Sequence, residues 1–150
     1  MRPIVIIGEK INGTIPQVKE AIKNRDADFI RTLAIKQTEA GAHYLDVCAG
    51  TSPEEEGATL KWLIDIVQDA VETPLCLDSP NANVIAEVIH LAKKPGIVNS
   101  VSEEGDKCEV IFPLIQNTEW QVIGLLCDNS GIPTEVQARV DIAKAIIEKA

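Results

Sequence analysis

The sequence predicts an α/β domain built on a parallel sheet, and three observations carry that expectation. Short apolar runs rich in β-branched residues alternate with longer segments whose apolar residues keep helical spacing. The third and fourth runs lie about 20 residues apart, the size of a strand–helix–strand unit. Both end in a polar residue followed by Ser, Asp78-Ser79 and Asn99-Ser100, and the other runs repeat that pattern.

Ile4-Val5-Ile6-Ile7-Gly8 is a run without alternation, as expected of a strand covered on both faces, and Glu9 to Gly13 follows as its carboxyl-end loop. Pro16 to Lys23 reads as a short helix. A longer one begins near Asp28, with Phe29, Ile30, Leu33 and Ala40 inward, and Gly41 stops it where a positive φ is wanted. Tyr44 to Gly50 is the second strand. Ser52, Pro53 and Glu55 then open a helix as a capping residue, a first-turn proline and a capping-box acid. Leu60, Leu63, Ile64, Val67 and Val71 keep its spacing, and its acidic first turn suits the helix dipole.

Leu75 to Asp78 is the third strand, followed by a helix with Val84, Ile85, Val88 and Ile89 inward and a stop at Pro95-Gly96. Ile97 to Val101 is the fourth. The next helix carries Cys108, Ile111, Phe112 and Ile115, and Pro113 should kink it or keep it short. Trp120 to Cys127 is the fifth strand. Thr134 and Gln137 frame a last helix in which Val136, Val140, Ala143 and Ile147 form the expected buried stripe. Five β–α units thus run in series with no linker, forming one domain over residues 1–150. Periodicity leaves two architectures open. One is a complete flavodoxin-like sheet; the other is the first five-eighths of a (β/α)₈ barrel, which typically needs about 250 residues.

The bulk numbers exclude several functions. The net charge is −9, from 23 acidic and 14 basic residues, with no basic run, which argues against a nucleic-acid partner. No apolar run approaches the roughly 20 residues of a membrane span, and the first eight residues are too short for a signal-peptide core. A cytoplasmic protein with reduced thiols is expected. Cys48, Cys76, Cys108 and Cys127 form no C-x-x-C pair, and His43 and His90 stand apart from them, so no metal site is expected. The thiols read as small packing residues, with Cys48 the one placed to see a pocket.

Side chains at the carboxyl ends of parallel strands converge on one face, so Asp78 and Asn99 should be neighbours. A carboxylate accepts from two adjacent N–H groups, while a carboxamide donates and accepts at once. Together they suit the edge of a flat heterocycle. Asp, Asn and Ser after a single strand usually cap the next helix. Five such ends, at Glu9 and Asn12, Asp46, Asp78 with Ser79, Asn99 with Ser100 and Ser102, and Asp128 with Asn129, favour a site.

Four of these stretches carry a resemblance: Gly8-Glu9-Lys10-Ile11-Asn12, Leu45-Asp46-Val47-Cys48-Ala49-Gly50, Leu77-Asp78-Ser79 and Gly96 to Ser102. In order and spacing they resemble the pterin-binding methyltransferase superfamily. That superfamily includes the methyltetrahydrofolate:corrinoid iron–sulfur protein methyltransferases, the folate domain of cobalamin-dependent methionine synthase and, more distantly, dihydropteroate synthase. Cys76-Leu77-Asp78-Ser79 and Phe112-Pro113-Leu114 look closest to the stand-alone methyltransferases. The resemblance implies a (β/α)₈ TIM barrel with methyltetrahydrofolate at its mouth, of which this chain holds the first five units. Asp78 and Asn99 match the pterin-bonding Asp and Asn, Asp46 matches the Asp of the pocket floor, and Glu9 and Asn12 match the first-strand loop. Ser79, Ser100 and Asp128 are further candidates at the strand ends. Cys48 stands where close relatives carry Asn. The family's later pterin-binding Asp and substrate-activating Asn would fall beyond Ala150, so the chain reads as the amino-terminal part of a longer protein.

The implied reaction moves a methyl group between tetrahydrofolate and the cobalt of a corrinoid (cobalamin) on a partner protein, in either direction. Such an enzyme positions the pterin and supports charge on its ring nitrogen. The resemblance leaves room for a homodimer. Two rivals are weighed against it. A dihydropteroate synthase-like condensing enzyme needs cations for a pyrophosphate, where the first loops offer mainly Lys10. A non-catalytic flavodoxin-like module could hold Mg²⁺ at Asp46 and Asp78, but a phosphate loop is missing.

Overall fold

The computed structural model describes residues 4–150. Five strands, β1 (Ile7–Asn12), β2 (Tyr44–Cys48), β3 (Leu75–Asp78), β4 (Ile97–Glu103) and β5 (Gln121–Asp128), pair in sequential order, all parallel. The helices are α1 (Pro16–Lys23), α2 (Ala27–Glu39), α3 (Pro53–Ala70), α4 (Ala82–Val88), α5 (Lys107–Ile115) and α6 (Val136–Lys149), with a 3-10 turn at Ile89–Leu91.

Sequential strand order decides between the two architectures. Each right-handed crossover steps one strand in the same direction, which puts every helix on the same side of the sheet. The contacts agree: α1 through α6 pack in a row, each against its chain neighbour. A flavodoxin-like sheet needs a reversal of strand order to cover both faces, and this sheet has none. The sheet is the wall of a TIM-barrel fold.

The alternation of side chains then assigns the two faces. Leu45, Val47, Leu75, Leu77 and Val98 join one core with Ile30 and Ala34 of α2, Leu60, Leu63, Ile64 and Val67 of α3, Ile85 and Val88 of α4, and Ile111 of α5. The other face carries Tyr44, Asp46 and Cys48 on β2, Cys76 and Asp78 on β3, and Asn99 on β4. This inner face is concave, and polar side chains meet across it. Tyr44 Oη accepts from Gln121 Nε2 at 3.0 Å, although β3 and β4 lie between their strands.

Several sequence expectations shift. β1 starts at Ile7 and includes Glu9 and Asn12, so those residues stand in the strand rather than in a following loop. Ile4, Val5 and Ile6 precede the strand and are exposed. Met1 to Pro3 lie outside the described residues. In α2 the buried pair is Ile30 and Ala34; Phe29 and Leu33 are half-buried and Ala40 is exposed. Gly41 does stop the helix with φ +91°. The capping box at Ser52 does not form, because the Glu55 N–H bonds the Ser52 carbonyl at 3.0 Å while the Ser52 hydroxyl makes no cap bond.

The clearest correction concerns α6. Its buried residues are Ile142 and Ile146, whereas Val136 and Ile147 are 77% and 72% exposed and Val140 is exposed as well. The helix has apolar residues on two faces, and periodicity alone does not say which one docks. The face that packs on β4 and β5 is the buried one, with Ile146 lying over Gly124. Pro113 keeps α5 to nine residues, as expected.

Candidate active site

The register of the sheet builds the site. Asn12 pairs with Cys48, Cys48 with Asp78, Asp78 with Asn99, and Asn99 with Ile123, so one rung crosses all five strands. The rung below runs Asp46, Cys76, Ile97, Gln121. Residues two apart on a strand share a face, so both rungs point into the concave side. Asp78 and Asn99 are therefore side by side at the carboxyl ends of adjacent strands, each half-buried, with Asp46 beneath them at 2% exposure.

The electrostatics follow from crowding acids in a partly dry hollow. Burial is the main reason that Asp46 is raised to about 6; hydrogen bonds from Asn99 and Cys76 oppose it, and the charges of Asp78 and Glu9 add to it. Asp78 is also raised, by burial first and then by Glu56 and Glu9, against a hydrogen bond from Cys48. Cys48 is pushed up to about 12, by burial and then by the Asp78 charge. Burial raises Cys76 too, followed by the charge of Asp46. Among the described residues, no cation contributes to the shifts of Asp46 or Asp78.

The remaining sequence candidates divide. Glu9 is exposed on β1, and its charge adds to the raising of Asp46 and Asp78. Asn12 is on the rung, but its Oδ1 is occupied by Thr14, whose N–H and Oγ1 bond it at 2.9 and 2.7 Å. Its amide N–H groups remain. Ser100 is half-buried at the register shift after Asn99.

Two candidates are turned to structural tasks. Ser79 is 3% exposed and donates its hydroxyl to Glu56 Oε1 at 2.6 Å, while accepting from the Asn81 N–H at 3.0 Å. It fastens β3 to α3 instead of facing the mouth. Asp128 lies well past the rung, paired with Glu103, and its Oδ1 accepts from the Ser130 N–H and hydroxyl at 2.8 and 2.6 Å. That is the local turn common after any strand.

Glu56 escaped the sequence reading. It is 7% exposed and lies four residues before Leu60, on the same stripe as Leu60, Leu63, Ile64 and Val67. A lone acid continuing an apolar stripe was the available signal, hidden by the neighbouring Glu54 and Glu55. A cleft of about 660 Å³ also opens between α1 and the start of α3, lined by Lys19, Lys23, Thr51 and Glu54 among others, but it contains none of the rung residues.

The model of the family described as "Pterin binding enzyme" matches residues 8–149. The chain belongs to this family. The match begins one residue inside β1, spans β2 to β5 in full and includes every residue of the two polar rungs. Among curated proteins, the chain is 54% identical over 149 residues to the methylcorrinoid:tetrahydrofolate methyltransferase of Eubacterium limosum, covering 98% of this chain and 55% of that protein. It is 30% identical over 151 residues to the methionine synthases of Mycobacterium leprae (strain TN) and Mycobacterium tuberculosis (strain ATCC 25618 / H37Rv). Each of those alignments covers 96% of this chain, and 12% and 13% of the respective synthase. The chain thus spans about half the length of its Eubacterium limosum relative. No helix among the described residues is long and apolar enough to cross a membrane.

Proposed function

We propose that this chain supplies the pterin-binding wall of an enzyme that transfers a methyl group between tetrahydrofolate and a corrinoid carried on a partner protein. The observation that carries the proposal is the pairing of Asp78 with Asn99 on one rung of the inner face, above the buried Asp46. These residues fit a pterin. The ring edge offers adjacent N–H donors, and Asp78 offers acceptors that no cation among the described residues engages. Asn99 adds a donor and an acceptor at the next strand end. Glu9 and Asn12 extend the wall towards β1.

A methylcorrinoid held by the partner protein would supply the methyl group as an electrophile, its bonding pair remaining with the corrinoid. The ring nitrogen would gain the methyl group and release its proton to solvent. The similarity to the Eubacterium limosum methyltransferase favours transfer towards tetrahydrofolate. The part played by this chain is positioning. Asp78 and Asn99 hold the ring so that its reactive nitrogen points out of the mouth, and the hollow keeps water from the bonded edge. Burial and the neighbouring carboxylates hold Cys48 and Cys76 as thiols, so neither serves as a covalent nucleophile. The cytoplasm suits four unpaired cysteines.

The test is a titration of the complete protein with tetrahydrofolate and methyltetrahydrofolate beside a thermal melt. Asp78→Ala should lose at least about tenfold in affinity, since each charge-assisted bond is worth about 1.5–3 kcal/mol. Asn99→Ala should lose less, because water replaces part of a neutral amide. Unchanged affinity in a folded Asp78→Ala protein would remove the pterin reading.

A further inference from the structure

Asn99 and Asp46 belong to strands that are not neighbours. Asn99 Nδ2 nevertheless donates to Asp46 Oδ2 at 3.1 Å, passing over β3. The residue below that path is Cys76, paired directly with Asp46 and small enough to leave the gap open. Its thiol is also turned to the Asp46 carboxylate. Asp46 is 2% exposed, so it has no solvent alternative to these partners.

A side-chain amide has two nearly isosteric orientations, exchanging its oxygen with its nitrogen. At a ligand-binding rung the two present opposite patterns. An ionised carboxylate is an acceptor only, so it tolerates one of them. We propose that Asp46 is a positioning residue: it locks the Asn99 amide in one orientation and so fixes the order of donor and acceptor shown to the ligand edge beside Asp78. This rests on the pterin-site reading and adds to it the origin of the site's discrimination among heterocycles. An unlocked amide would accept a ring edge of either pattern. A locked one is complementary to a single pattern and is spared the entropy of choosing between orientations on binding.

The experiment is a double-mutant cycle on the complete protein, read as the Kd for tetrahydrofolate with melts alongside. Asp46→Asn keeps the shape but can either donate or accept, so it satisfies both orientations. In the wild-type background it is expected to weaken binding about threefold to tenfold. In the Asn99→Ala background it should change the Kd by no more than about twofold, since the residue it acts through is gone. Equal losses in both backgrounds would overturn the proposal, because Asp46 would then act directly or through general structure. If Asp78→Ala binds normally, the pterin reading fails while the amide lock still faces a ligand-free test. The Asn99 side-chain amide resonances, assigned by their loss in Asn99→Ala, are expected to exchange slowly with solvent in the wild type near about pH 8. Exchange as fast as that of a surface amide would overturn the lock even if the Asp46 variant does not fold.

Discussion

Asn99 reaches Asp46 across an intervening strand, with 3.1 Å between the amide nitrogen and the carboxylate oxygen. In a flat sheet the two strands would be nearly 10 Å apart, at about 4.8 Å per step. The bond therefore reports the curvature of the sheet as well as the chemistry of the site. Only the concave face of a barrel wall brings inner side chains from alternate strands together.

Asp46 should make stability pH-dependent. Its folded value of about 6 exceeds the ordinary 3.8, so its contribution is fully present below 3.8 and is lost as pH rises through 6. Asp46→Asn carries no such loss. Between pH 4 and pH 7 the stability of wild type relative to Asp46→Asn should therefore fall by about 2 kcal/mol. Urea melts of both proteins at several pH values measure it, and a constant difference would contradict the assignment.

Cys48 should be a sluggish nucleophile. Its value of about 12 leaves almost no thiolate near neutrality. Alkylation by iodoacetamide, followed by peptide mass spectrometry, is expected to run at least about a hundredfold slower than for an unperturbed thiol. Asp78→Asn should speed it up by removing the adjacent charge. Rapid wild-type labelling would show that the mouth is wetter than the structure has it.

Ser79→Ala separates fastening from binding. Without the hydroxyl, Glu56 keeps its carboxylate at 7% exposure and loses its 2.6 Å donor. A stability loss of about 1–3 kcal/mol is expected. The Kd for tetrahydrofolate should stay within about twofold of wild type. A large affinity loss with unchanged stability would return Ser79 to the ligand.

Gly13→Ala should disturb the join between the first two strands. A Cβ there would lie 1.9 Å from the Ala49 carbonyl oxygen, and the Gly13 N–H bonds the Cys48 carbonyl at 3.0 Å. Backbone must shift on one side or the other, at a cost of about 1–3 kcal/mol or more. The denaturation midpoint should drop with the m-value unchanged.

Much of this protein was legible from the sequence because the relevant signals are local. A short apolar run bounded by Pro makes its own strand, so Leu75–Asp78, between Pro74 and Pro80, was bounded correctly, and Pro113 limited α5 without help from any neighbour. Strand polarity and side-chain alternation were enough to bring Asp78 and Asn99 to one edge. The tertiary structure decided what depends on residues distant in sequence. Strand order placed all the helices on one side, which repeated β–α units alone do not specify. Packing on β4 and β5 buried Ile142 and Ile146 and not the equally periodic Val136, Val140 and Ile147. Curvature joined Asp46 to Asn99, and burial beside α3 claimed Ser79 for Glu56. A hydrophobic period tells a helix that it has a face to bury; only the partner surface determines which face that is. In the same way, a strand's carboxyl end supplies a polar group, and the sheet's register and bend settle whether that group meets a ligand or another side chain.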